Sequence, residues 1–254
     1  MNDLLLSFLL GLIQGLTEFL PISSSAHLLF PSLLFGTNDL GLAFDIAVHA
    51  GTLFAVIYYF RSEILLMAKS IFIADSRSSE SSKLVKLLII ATLPIVIVGL
   101  FGSDFIESNR TNIENIAYMN LLFAGILLVA YQFSSSSKAL IELTIIGALF
   151  IGAFQVFALL PGASRSGTAI TAALFLGLNL KDSSKFAFLL AIPTILGALV
   201  FLIADLALYQ AKINISTLVI GFVTSSIVAF LTIKYFLIFV EKIGMYPFVI
   251  YRLL

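Results

Sequence analysis

The stretch "QGLTEFLPISSSAH" (14–27) places a carboxylate, a proline, three consecutive serines and a histidine inside an otherwise apolar run. Gln14 and Glu18 are four residues apart, so on a helix both can point at one ligand, including a divalent cation that bridges phosphates. Ser24, flanked by Ser23 and Ser25, offers a nucleophilic hydroxyl, and Glu18 or His27 can remove its proton or protonate a leaving group. A second stretch, "LPGASRSGTA" (160–169), carries Arg165 between Ser164 and Ser166, with Gly162 and Thr168 nearby. A guanidinium fork binds phosphate oxygens bidentately and keeps its charge at any working pH. Gly162 lets backbone approach an anion, and N–H groups at the start of a helix after Arg165 can add to the cradle. Together the two stretches point to phosphoryl chemistry on something that lives in the bilayer.

Membrane helices must position these groups. Of 254 residues 60% are hydrophobic and only 11% are charged, a composition that predicts several bilayer-spanning runs and a polytopic membrane protein. The absence of cysteine excludes a disulfide framework, a thiolate metal site and a thiol nucleophile. Net charge is zero and no basic run is dense, which excludes nucleic acid as a partner. The first apolar stretch has no positive segment before it and contains Gln14 and Glu18, so it is expected to remain in the mature protein.

Six apolar runs are expected to span: roughly 40–60, 85–102, 116–133, 186–206, 215–240 and a short one at 243–254. Residues 3–20 instead run into Pro21 and the serines, followed by a brief run from His27 to Phe35. Residues 139–160 run into the second polar stretch, followed by 171–180. Each reads as helix, break, helix: a re-entrant hairpin, tolerated at membrane depth where protein or a water-filled cavity surrounds it. "GLIQGLTEFLPISSS" (11–25) also lies on "GAFQVFALLPGASRS" (152–166) with a one-residue slip, matching Gln14 to Gln155 and Leu20-Pro21 to Leu160-Pro161. "HAGTLFAV" (49–56) and "AIPTILGA" (191–198) follow at comparable distances. The expected fold is therefore all-α, a single integral membrane domain over 1–254 with pseudo-repeats of about 1–133 and 139–254, separated near the Ser134 to Ser137 linker. A hairpin followed by three spans reverses orientation between copies, which makes the repeat inverted.

Charge counting gives the orientation. In this layout one face receives Arg61, Lys69, Arg77, Lys83, Lys86, Lys138, Lys181, Lys185, Lys234 and Lys242, and the other only Arg110 and Lys212. The rich face is cytoplasmic; Asp104, Glu107 and Glu114 gather on the exterior one. Residues 74–83 read as a polar cytoplasmic connection. Arg252 and Arg165 stand outside the count, and the inverted geometry brings Arg165 toward the first serine cluster near the midplane, where a charge marks function.

Plainer roles compete for some of these side chains. Membrane serines and threonines often bond their own backbone, His49 lies inside a span and suits helix packing, and Glu142 suits a helix dipole. Two other functions use the same residues. A secondary transporter or lipid flippase would employ Glu18 and Arg165 as a coupling or substrate site. An intramembrane serine hydrolase would use Ser164 or Ser166 with a histidine, but gains nothing from an arginine beside its nucleophile.

"QGLTEFLPISSSAH" and "LPGASRSGTAI" resemble the two signature motifs of the undecaprenyl-diphosphate phosphatase family of the BacA type, roughly [E/Q]xxxE followed by PxSS and His, and PGxSRSxxT. The resemblance extends to "HAGTLFAVIYYFR" (49–61), "FAFLLAIPTILGA" (186–198) and "YPFVIYR" (246–252), nearly the whole chain. It implies removal of the terminal phosphate from a C55-type polyprenyl diphosphate at the outer face of the cell membrane, regenerating a carrier lipid for cell-envelope glycan synthesis. It also implies a divalent cation, Mg or Ca, held by Gln14 and Glu18, with Gln14 standing at the first position of the pattern. By motif matching Glu18 is the essential carboxylate, Ser24 the favoured nucleophile, His27 the acid/base candidate and Arg165 the diphosphate clamp. Ser23, Ser25, Gly162, Ser164, Ser166 and Thr168 are expected to line the substrate.

Overall fold

The structure, a computed structural model, describes residues 2–37, 39–72, 76–102, 112–135, 137–206 and 214–254, without the side chains of 76–78 and 205. In chain order its α-helices are α1 (Asp3–Thr17), α2 (Ser24–Leu28), α3 (Phe30–Phe35), α4 (Leu42–Tyr59), α5 (Arg61–Ser70), α6 (Ser76–Phe101), α7 (Ile113–Phe133), α8 (Ile145–Gln155), α9 (Arg165–Phe175), α10 (Leu180–Leu206), α11 (Ile215–Ile243) and α12 (Tyr246–Leu253). Asparagine side chains start three of them: Asn2, Asn112 and Asn214 each accept a hydrogen bond from a first-turn N–H of α1, α7 and α11.

Five of these helices, α4, α6, α7, α10 and α11, are long and apolar enough to cross a membrane. The chain is a multi-pass, all-helical membrane protein. Two expectations from sequence change. The polar segment 74–83 is not wholly a connection, because α6 already begins at Ser76. No glycine or proline interrupts the chain between that point and Pro94, so the apolar helix runs on into its polar flank. The run at 243–254 forms the eight-residue α12, which at ~1.5 Å per residue covers about 12 Å and does not cross a bilayer by itself. Asp104, Glu107, Arg110 and Lys212 lie outside the described residues.

Small residues bring the helices together. Gly11 and Gly15 of α1 meet Gly221 and Ser225 of α11, and Gly51 of α4 sits where an added Cβ would be 2.5 Å from the carbonyl oxygen of Phe222. On the other side Gly152 of α8 lies against Ala91 of α6. Each helix that precedes a break thus packs on a long helix from the opposite half of the chain. At one end of the bundle Lys185 pairs with Glu63 at 3.4 Å, Lys181 with Glu241 at 4.0 Å, and Lys138 donates to the Leu176 carbonyl at 3.0 Å. Lys83 donates to the Ile141 carbonyl at the same end, which gathers several of the lysines counted on the positive face.

A methyl group at Gly152 would stand 2.3 Å from the Ala91 carbonyl oxygen. Gly152→Ala is expected to destabilise the protein by about 1–3 kcal/mol through overpacking. Thermal unfolding in detergent measures this, and an unchanged midpoint would mean that α6 and α8 do not approach so closely.

Candidate active site

Proline ends the helix at each break. The ring of Pro21 would clash with the carbonyl four residues earlier, at Thr17, where α1 stops. Pro161 acts in the same way on the segment after α8, which tightens into a 3₁₀ turn over Val156–Leu159. Both breaks then make the same unusual turn. Ser23 and Ser164 are the two described non-glycine residues with positive φ, at 66° and 70°. Each immediately precedes a helix, so Ser24 and Arg165 occupy equivalent first positions of α2 and α9. The flanking hydroxyls pair alike, Ser23 with Ser25 at 3.1 Å and Ser164 with Ser166 at 3.3 Å.

The two breaks meet at Glu18. Its carboxylate is 7% exposed and accepts from three directions: Arg165 Nη2 at 3.1 Å on Oε1, and Gln14 Nε2 at 3.0 Å with Ser24 Oγ at 2.9 Å on Oε2. Ser166 Oγ fastens the second break to the first by donating to the Leu20 carbonyl at 2.8 Å. Ser24 and Arg165 remain partly exposed and Ser25 is exposed, so this polar junction can be reached. Two polar atoms beside Glu18 are buried without a partner: Arg165 Nε, a donor, and Gln14 Oε1, an acceptor. A spare cationic donor and a spare oxygen ligand suit an anion that arrives with a cation.

Other predicted residues take different places. His27 is tied at both nitrogens, 2.7 Å from the Ser23 carbonyl through Nδ1 and 2.7 Å from the Tyr251 hydroxyl through Nε2. A carbonyl only accepts, so Nδ1 carries the proton, and in the neutral ring Nε2 accepts from Tyr251. Ser24 therefore gives its proton toward Glu18 in this structure. Gly162 has φ +100° and lies where a Cβ would be 2.2 Å from the Ile116 carbonyl oxygen. The close approach that requires glycine there is to α7. At the start of α9 the Gly167 N–H is taken by Ser164 Oγ at 3.2 Å and the Thr168 N–H by the Ser164 carbonyl at 2.8 Å. Thr168 Oγ1 donates to the Arg165 carbonyl at 2.9 Å, inside its own helix.

Sequence reasoning missed three members of the surroundings. Arg252, only 3% exposed, reaches carbonyls of both breaks, and Asn120 and Tyr251 stand with it and with His27. The available signal was an arginine that charge counting could assign to neither face. His49 of α4 has its Nδ1 bonded to the Asp45 carbonyl of its own helix at 2.8 Å.

The family model for bacitracin resistance protein BacA matches residues 7–254. The undecaprenyl-diphosphatase of Alcanivorax borkumensis is 44% identical over 250 residues, covering 98% of this chain and 94% of the relative. The undecaprenyl-diphosphatase of Saccharophagus degradans is 46% identical over 253 residues, covering 99% and 95%. The chain belongs to the BacA family.

Removing one member of the buried Glu18–Arg165 pair leaves the other without a counter-charge, which typically costs about 3–5 kcal/mol. Arg165→Met and Glu18→Gln are each expected to lower the thermal midpoint, and the double variant to be more stable than the sum of the two losses predicts, by about 1–3 kcal/mol. Additive losses would mean that the two side chains do not interact.

Proposed function

We propose that this chain is an integral membrane undecaprenyl-diphosphatase that hydrolyses undecaprenyl diphosphate to the monophosphate and inorganic phosphate. One observation carries the reading: a serine hydroxyl and an arginine, one from each break, converge on a single buried carboxylate. Glu18 takes the Ser24 proton as the hydroxyl oxygen attacks the terminal phosphorus, and the anhydride bond to the inner phosphate breaks. Arg165, whose Nε has no protein partner, holds phosphate oxygens and balances charge that develops on them. Water then cleaves the phosphoserine. Ser25, with its exposed side chain, and Ser23 complete the rim on the first break.

Gln14 and Glu18 are the residues that would hold a divalent cation. Among the described residues no three His, Asp or Glu side chains converge, so the protein offers no complete cage. The unpartnered Gln14 Oε1 beside one carboxylate fits an ion that takes its remaining ligands from phosphate and water, as Mg²⁺ commonly does. Such an ion would neutralise phosphate charge during attack. Ser164 and Ser166 are committed to the Gly167 N–H and the Leu20 carbonyl, which leaves a serine–histidine dyad at the second break without support.

The wider architecture follows the same reading. The matched turns at Ser23 and Ser164 support an inverted repeat of 1–133 and 139–254, with two re-entrant hairpins and α12 standing in the place of a sixth span. The lysine asymmetry supports a protein of the cytoplasmic membrane with the site open to the exterior. An apolar groove of about 410 Å³ between α1, α11 and α12, lined by Leu16, Leu20, Val228, Phe236 and Phe239, offers room for part of an isoprenoid chain.

The test is phosphate release from undecaprenyl diphosphate by purified protein in detergent, with and without chelator. Release should be chelator-sensitive and should fall at least about 100-fold in Ser24→Ala and in Arg165→Ala. A wild-type protein that binds the lipid yet releases no phosphate with any divalent cation would sink the assignment.

A further inference from the structure

We infer that Tyr251 and Arg252, neighbours on α12, are positioning residues that lock both breaks so that Ser24 and Arg165 face one carboxylate. The inference rests on the hydrolysis proposed above. Successive residues on a helix point about 100° apart, so one short helix can serve two targets.

Arg252 holds the backbone. Its Nη1 donates to the Pro21 carbonyl at 3.2 Å, and its Nη2 to the Gly162 carbonyl at 2.9 Å and the Ala163 carbonyl at 3.2 Å. These carbonyls belong to the two breaks, where no helix supplies an N–H partner. Asn120 of α7 fixes the guanidinium by accepting from Nε at 2.9 Å and donating to the Arg252 carbonyl at 3.0 Å. Only a planar fork with several donors spans three carbonyls from two chain segments; a lysine ammonium offers a point charge on a flexible stem.

Tyr251 holds the other side of Ser24. Its hydroxyl donates to His27 Nε2 at 2.7 Å, its ring stacks on the imidazole at 5.6 Å and 13°, and His27 Nδ1–H in turn grips the Ser23 carbonyl at 2.7 Å. Ser23 has the uncommon positive φ that aims Ser24 at Glu18. The backbone is thus held at Pro21 by Arg252 and at Ser23 by the Tyr251–His27 chain, one carbonyl on each side of the turn. Neither Tyr251 nor Arg252 touches Glu18 in the structure's hydrogen bonds, so both act through the groups that they fix.

Tyr251→Phe is the decisive variant, because it removes one hydroxyl from a half-exposed side chain and leaves the ring stack in place. The chain has only two histidines, so protein labelled with ¹⁵N in its imidazoles gives two sets of signals, and His49 serves as the internal control. In Tyr251→Phe the His27 Nε2 signal should move and the His49 signals should not. For undecaprenyl diphosphate kcat should fall roughly tenfold in Tyr251→Phe and roughly a hundredfold in Arg252→Lys, with KM held within about twofold. The thermal midpoint of Tyr251→Phe should stay near that of wild type. Wild-type kcat in Tyr251→Phe, or a loss that merely follows the thermal midpoint, would overturn the inference. A wild-type protein without phosphatase activity would defeat the hydrolysis reading instead, while the imidazole signals would still report whether Tyr251 fixes His27.

Discussion

The ion pair between Glu18 and Arg165 sets the terms for the rest of the molecule. Its two members come from opposite halves of the chain and are both largely withdrawn from solvent, at 7% and 12% side-chain exposure. Desolvating a carboxylate and a guanidinium costs several kcal/mol for each ion, and only close, hydrogen-bonded approach offsets it. At 3.1 Å, with Gln14 and Ser24 completing the carboxylate, the approach is made. The two breaks must therefore reach the same point, and the helices carrying them must pass closely enough to let them do so. The glycines at 11, 15, 51 and 152 serve that approach.

Bringing the breaks together creates a second demand. A helix that is interrupted leaves carbonyls without intrahelical partners. The structure answers with side chains, from distant elements in Ser166 for Leu20 and Arg252 for Pro21, Gly162 and Ala163, and locally in His27 for Ser23. The Ser166 and Arg252 bonds satisfy backbone and at the same time tie one break to the other. The same economy explains why α12, too short to cross a bilayer, ends with a buried arginine.

Much of this was legible in the sequence because it depends on local rules. Pro21 and Pro161 announce the breaks, and hydropathy finds α4, α7 and α11 to within a few residues, while α6 and α10 begin well before the runs expected from residues 85 and 186. The matching of Gln14 with Gln155 anticipates the shared turn, since at the same offset Ser23 aligns with Ser164 and Ser24 stands opposite Arg165. What sequence could not give is partnership across long separation. Tyr251 lies 224 residues from His27, and no periodicity or motif links them. Gly162 is the instructive case, since the residue type correctly signals close approach but not to what; the backbone of α7 lies where its Cβ would be. Thr168 likewise sits inside a motif, yet its hydroxyl is spent on its own helix.

The interlocking of the halves also bears on transport as an alternative use of the same residues. Alternating access works by rocking one repeat against the other around a fixed site, which requires an interface between repeats that can slide or open. Here the two halves of the chain meet at the site through the buried ion pair, the Ser166–Leu20 bond and the Arg252 bonds to both breaks. Moving the halves apart would strip a buried guanidinium of its carbonyls and a buried carboxylate of its counter-charge simultaneously, each a loss of several kcal/mol. A rigid junction of this kind is poorly suited to carrying a bulky diphosphate across the membrane. It is well suited to holding a hydroxyl, a base and a cationic donor at fixed separations while a phosphate is removed in place, because catalysis by positioning gains from every motion the protein suppresses.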